Sequence, residues 1–137
     1  MWRKTRLDRN YIINALGGKE WNMGKQKQNI LSVSLRFTLQ GGERYIPVNE
    51  AASIAIKEVV YDNSRAFEPQ LSPEFIGHFT VGYTINRNKL AHEISMKMIN
   101  VTGYKEFDGY FYNHKNDRPE MYMGSVVIPN ISYKINF

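Results

Sequence analysis

The sequence predicts an all-β fold, an antiparallel up-and-down meander of about five strands that forms a partial segment of a transmembrane β-barrel. Three observations predict it. Apolar and polar residues alternate with period two through four segments, the mark of a pleated strand with one apolar face. The alternating runs are about eleven residues long, and a tilted membrane strand needs ~9–11. Connections alternate between short and long, which in a meander gathers the long loops at one end, as in outer-membrane barrels.

The first strand is expected within Asp8–Lys19, which is β-rich through Tyr11, Ile12 and Ile13 although Ile12 and Leu16 mix its faces. Asn29–Gln40 sets Leu31, Val33, Leu35, Phe37 and Leu39 against Ser32, Ser34, Arg36, Thr38 and Gln40. Phe75–Asn86 repeats the plan, with Phe75, Phe79, Val81, Tyr83 and Ile85 opposing His78, Thr80, Gly82, Thr84 and Asn86. From Leu90 the apolar parity is Ile94, Met96 and Met98, against Ala91, Glu93, Ser95 and Lys97. The last strand sets Val127, Pro129, Ile131, Tyr133, Ile135 and Phe137 against Asn130, Ser132, Lys134 and Asn136. A two-residue turn at Arg87-Asn88, with Asn88 at positive φ, pairs Ile85 with Leu90, Val81 with Ile94, Phe79 with Met96 and His78 with Lys97. The two long connections are about thirty residues from Gly41 to Pro73 and about seventeen from Thr102 to Arg118.

A soluble antiparallel β-sandwich or small-barrel ligand-binding domain alternates equally well, with its apolar face turned inward. The two readings predict opposite exposure of Leu35, Phe79 and Ile135. Strand length, one-sided long loops, aromatics near strand ends (Tyr11, Trp21, Tyr45, Phe75, Tyr104, Tyr122) and an aromatic last residue in register with the apolar face favour the membrane barrel.

Composition narrows the classes. A chain of 137 residues has room for about one domain, and 42% hydrophobic with 23% charged residues is globular rather than disordered. Eighteen basic against thirteen acidic residues give a net charge of +5, which permits an anionic partner without naming one. The absence of cysteine excludes disulfides, thiolate metal sites and a cysteine nucleophile. No run approaches a membrane-spanning helix, and no apolar segment of a signal peptide follows Met1-Trp2-Arg3-Lys4.

The ending Asn130-Ile-Ser-Tyr-Lys-Ile-Asn-Phe137 resembles the C-terminal insertion signal of outer-membrane barrels, carried by Tyr133, Ile135 and Phe137, with Ser132 where that signal usually has Gly. The runs GKEWNMGK from Gly18, GGERYIPV from Gly41, DNSRAFEPQLSPEF from Asp62 and NVTGYKEF from Asn100 resemble, in order and spacing, the last strands of TonB-dependent receptors, particularly of Bacteroidetes type. With the strands between them they cover about nine tenths of the chain. The resemblance implies a barrel of about 22 strands closed by an N-terminal plug, which imports a scarce solute with energy passed through TonB. Residues 1–137 would then be the C-terminal barrel segment, without the plug and most strands: a truncated gene product, the product of a mis-called start, or an excised piece. Its partners would be outer-membrane lipid, the rest of the barrel and plug, the barrel-assembly machinery and TonB, and its place the cell outer membrane. Arg36, Thr38, His78, Glu93 and Lys97 would face the lumen with Asn130, Ser132 and Lys134, and both long loops would lie outside the cell.

Motifs of catalysis are not found: the chain has no GxSxG, Walker loop, GxGxxG or HExxH, and no enzyme or cofactor is expected. In the expected hairpin His78 and His92 have opposite parity and point to opposite faces, so a shared metal is not expected, and His114, Asp117 and Glu120 read as solvated loop residues. Glu93, Lys97 and His78 read as a charged network on the inner face rather than an acid–base pair. Tyr104, Phe107, Tyr110, Phe111 and Tyr112 form a candidate stacking platform for a ligand in an external loop, against the plainer reading of a loop packing on itself. Arg3, Lys4, Arg6, Arg9, Lys19, Lys25 and Lys27 are scattered over turns rather than set on one face, so nucleic acid is not expected.

Overall fold

A computed structural model of the chain describes residues 4–137, so that Arg3 of the basic N-terminal group lies outside the described residues. Seven strands form: β1 (Ile12–Met23), β2 (Asn29–Gln40), β3 (Glu74–Asn86), β4 (Ala91–Ile99), β5 (Glu106–Asn113), β6 (Arg118–Gly124) and β7 (Ile128–Asn136). Five of them make one open, mainly antiparallel up-and-down sheet in the order β1-β2-β3-β4-β7, and β5-β6 is a separate two-stranded sheet. The chain divides into two compact units. One holds the five-stranded sheet, residues 13–39, 75–104 and 126–137; the other holds residues 4–12, 40–74 and 105–125.

The expected five-stranded meander is therefore present, and β2 starts and ends where its alternation does. The first strand is displaced: it runs Ile12–Met23 rather than within Asp8–Lys19. Asn10 takes φ 66 and Tyr11 N–H bonds the Arg9 carbonyl at 2.8 Å, so the backbone is turned, not extended, before Ile12.

The hairpin β3–β4 differs from expectation by a shift of two. Arg87 and Leu90 exchange backbone hydrogen bonds of 2.8 and 3.3 Å, which puts the turn at Asn88-Lys89, and neither residue takes positive φ. The ladder pairs Phe79 with Met98, Val81 with Met96, Tyr83 with Ile94 and Ile85 with His92. His78 is accordingly not across from Lys97, whose partner is Thr80. A slip of two preserves parity, so each residue keeps its face and alternation cannot choose between the two registers.

Both long connections, expected as loops, carry secondary structure. Residues 41–73 contain a helix, α1 (Glu50–Ile56), and a single 3₁₀ turn (Asn63–Arg65). Asn49 caps α1 by accepting the Ala52 N–H at 3.0 Å, and Lys57 ends it at φ 58. The stretch Thr102–Arg118 contains β5 and the first residue of β6. Asn100, at φ 57, closes the base of this excursion: its side chain bonds Tyr104 N–H at 3.0 Å, the Tyr104 carbonyl at 2.9 Å and the Val126 carbonyl at 3.2 Å.

Apart from glycine, the buried residues among those described are Arg44, Ser53 and Glu74; no hydrophobic side chain is buried. In the sheet, Leu35 is 42%, Ile135 40% and Ile131 75% exposed, while Phe79 is half-buried. The outer strands β1 and β7 are exposed along their whole length.

In the second unit, charge ties residues 4–12 to residues 40–74. Arg9 ion-pairs with Glu43 and, at 2.6 Å, with Glu74; Gln40 also donates to Glu74 at 2.6 Å, and Arg6 pairs with Glu43 at 2.9 Å. Gly41 and Gly42 let the backbones close around this cluster, because a Cβ at Gly41 would overlap the Arg9 carbonyl oxygen and one at Gly42 that of Leu71. Gly41→Ala is therefore expected to destabilise this unit by about 1–3 kcal/mol, read as a fall in the urea midpoint.

Candidate functional site

Two places gather the residues singled out by the sequence. On the polar face of the sheet, Arg36 from β2, His78 and Thr80 from β3 and Lys97 from β4 line one cleft of about 240 Å³ together with Ser34, Leu16 and Ile99. Three adjacent strands bring these side chains together because each stands on the polar parity of its own strand and the ladder pairs those parities. His78 accepts the Asn100 backbone N–H on Nδ1 at 3.3 Å, which puts the proton of its neutral ring on Nε2. Thr38 lies outside the cleft, its hydroxyl donating to Asn14 Oδ1 at 2.7 Å. Glu93 sits across from Thr84 on one side and Lys134 on the other, and among the described residues no hydrogen bond or ion pair joins it to Lys97. The expected Glu93, Lys97 and His78 network is thus not formed: Glu93 and Lys97 stand two pleats apart on β4, and the register puts Thr80 rather than His78 across from Lys97.

On the apolar face, His92 and Tyr133 share a hydrogen bond of 2.7 Å with their rings stacked 6.1 Å apart. Tyr133 and Ile135 lie in β7 opposite Ile94 and His92, and Phe137 follows the strand almost fully exposed.

The second place is an aromatic cluster in the other unit. Phe107 and Tyr110 pack edge to face at 5.3 Å, Tyr45 lies 5.6 Å from Phe107 and 6.2 Å from Tyr110, and Tyr61 meets Tyr110 edge-on at 6.2 Å. Phe107 and Tyr110 have opposite parity in sequence yet share a face because the ladder carries a bulge between Phe107 and Gly109, and Gly109 takes φ 133 there. A cleft of about 250 Å³ opens beside them, lined also by Arg6, Arg44 and Phe67.

The five aromatics do not make one platform. Phe111 packs on Tyr122 at 6.4 Å, Tyr112 donates its hydroxyl to Asp117 at 2.7 Å and stands edge-on to His114, and Tyr104 belongs to the sheet unit. Tyr45, expected as a strand-end aromatic, lies outside the strands in this cluster instead, and Tyr61 carries no sequence signal; both stand in a stretch without periodicity, which the bridges Arg44↔Gln70 and Val48↔Tyr61 fold.

Burial, then the neighbouring Tyr45 and Tyr61, pushes the Tyr110 hydroxyl up to about 12, so Tyr110 keeps its proton at ordinary pH. At the turn of the β5–β6 hairpin, hydrogen bonds from Asn113, Asn116 and Arg118 hold Glu120 at about 2, below its usual 4.5. A carboxylate held lower in the folded state contributes stability above about pH 4.5 and loses it as pH falls toward 2. Acid titration is therefore expected to loosen this turn in that window, and Glu120→Gln to flatten the dependence, read from the Asn113 and Asn116 amide resonances.

His114, Asp117 and Glu120 do not converge as ligands, since Tyr112 engages Asp117 and the two asparagines engage Glu120. Among the described residues no three His, Asp or Glu side chains gather as metal ligands. No known family, curated protein or solved structure matches this chain.

Proposed function

We propose that this chain supplies the C-terminal strands of an outer-membrane β-barrel of the TonB-dependent receptor type, a non-catalytic part of a transporter for a scarce solute. The observation that carries this reading is a meander with one apolar face and no buried hydrophobic side chain among the described residues. An aqueous domain gains most of its stability from such burial. Here Leu35, Ile94, Met96, Ile131 and Ile135 are exposed, and lipid is the solvent that suits them. The open outer edges of β1 and β7, strands of twelve and nine residues, support the reading too, because such edges call for neighbouring strands and a closed barrel provides them. In this arrangement outer-membrane lipid, the remaining barrel and plug, the barrel-assembly machinery and TonB are the partners.

The test uses the lack of native cysteine. Single cysteines at Leu35, Val81 and Ile135, and at Ser34, Thr80 and Ser132, are labelled with a fluorophore in vesicles whose acyl chains are brominated. Quenching is expected for the first set only. Equal quenching of both sets, or a chain that stays monodisperse in water without lipid, overturns the reading and leaves a soluble β domain.

A further inference from the structure

We propose that the polar-face cleft formed by Arg36, His78 and Lys97 binds a free oxyanion of phosphate size. The sheet sets three nitrogen donors around one hollow. Neighbouring strands lie ~4.8 Å apart, so Arg36 on β2 and Lys97 on β4 flank β3 across about 10 Å, a span that both long side chains can close over His78 and Thr80. The cleft of about 240 Å³ falls below the ~300–1,000 Å³ of sites for larger organic ligands.

Charge selects the ligand. No carboxylate lines the cleft, and among the described residues neither Arg36 nor Lys97 has an acidic partner within 4.0 Å. The ladders explain this for Lys97: its cross-strand partners are Thr80 and Asn130, whereas Glu93, the nearest acid along β4, faces Lys134. The remaining polar groups suit an oxyanion as well. The amide of Asn100 occupies Nδ1 of His78, leaving Nε2–H as the donor of the neutral ring, and Ser34 and Thr80 add hydroxyl donors. Guanidinium, ammonium and imidazole N–H all donate, and the two hydroxyls donate or accept, a set that matches a negatively charged oxyanion with many acceptor oxygens and few O–H groups. The proposal does not depend on what covers the opposite, apolar face, so its failure and that of the membrane reading are separable.

The test is a titration of the full chain with inorganic phosphate, followed by the backbone amide resonances in micelles of an uncharged detergent, with chloride at matched ionic strength as the reference. Saturable shifts centred on Ser34, Arg36, His78, Thr80 and Lys97 are expected. Arg36→Gln and Lys97→Gln should each weaken binding about tenfold. Lys134→Gln removes the same charge from the same face and should leave the affinity unchanged. Retained cross-strand contacts between Thr80 and Lys97 show that the variants keep the sheet. Shifts that chloride reproduces, shifts that never saturate, or an equal loss with Lys134→Gln would overturn the proposal.

Discussion

Val81→Arg is expected to abolish stable insertion into outer-membrane vesicles, while Thr80→Arg is tolerated. Val81 lies on the apolar face of β3, the central strand of the five, across from Met96, which in turn lies across from Ile131. A cation there costs ~2–4 kcal/mol at the bilayer midplane. Thr80 is one pleat away and points to the polar face, where Lys97 already stands across from it. Adjacent residues of the same strand thus give opposite outcomes, and backbone propensity cannot produce that contrast. The measurement is the fraction of chain that resists extraction by urea or alkali. Equal extraction of both variants would remove the assigned faces and the membrane reading with them.

Arg9→Met should cost about 3–5 kcal/mol, the penalty for leaving a buried ion without its partner. The Glu74 carboxylate is almost fully buried and would keep only the Gln40 amide as a donor. Adding Glu74→Gln to Arg9→Met is expected to restore much of the loss, since a neutral amide is far cheaper to bury than a charge. Arg6→Met, which removes a solvent-exposed partner of Glu43, should cost less than about 1 kcal/mol. Chemical denaturation of the four proteins checks the set. A loss on Arg6→Met as large as on Arg9→Met would show that burial does not set the strength of these pairs.

The candidate sites were legible only in part. Arg36, His78 and Lys97 could be assigned to one face from their parity, and the structure places them in one cleft. Their neighbours could not be assigned, because moving the turn from Arg87-Asn88 to Asn88-Lys89 exchanges His78 for Thr80 across from Lys97 without changing any face. The aromatic cluster was visible as composition around Phe107 and Tyr110, but the bulge before Gly109 reverses the parity that would have sorted it. Tyr45 and Tyr61 reach it from a segment whose shape is fixed by a capped helix and isolated bridges rather than by any repeat.

The all-β class, the five-stranded meander and the faces of β2, β3, β4 and β7 follow from the alternation along the chain alone. The pleat makes these properties local: side chains alternate with period two whatever the strand pairs with, so every choice of even register returns the same faces. Only the tertiary structure decided the register, the β5–β6 hairpin and the partners of the charged residues. Arg9 and Glu74 are 65 positions apart, and Coulomb attraction has no preferred sequence separation. Which acid meets which base is settled by the way Gly41 and Gly42 let backbones pass, and no pattern along the chain encodes that passage.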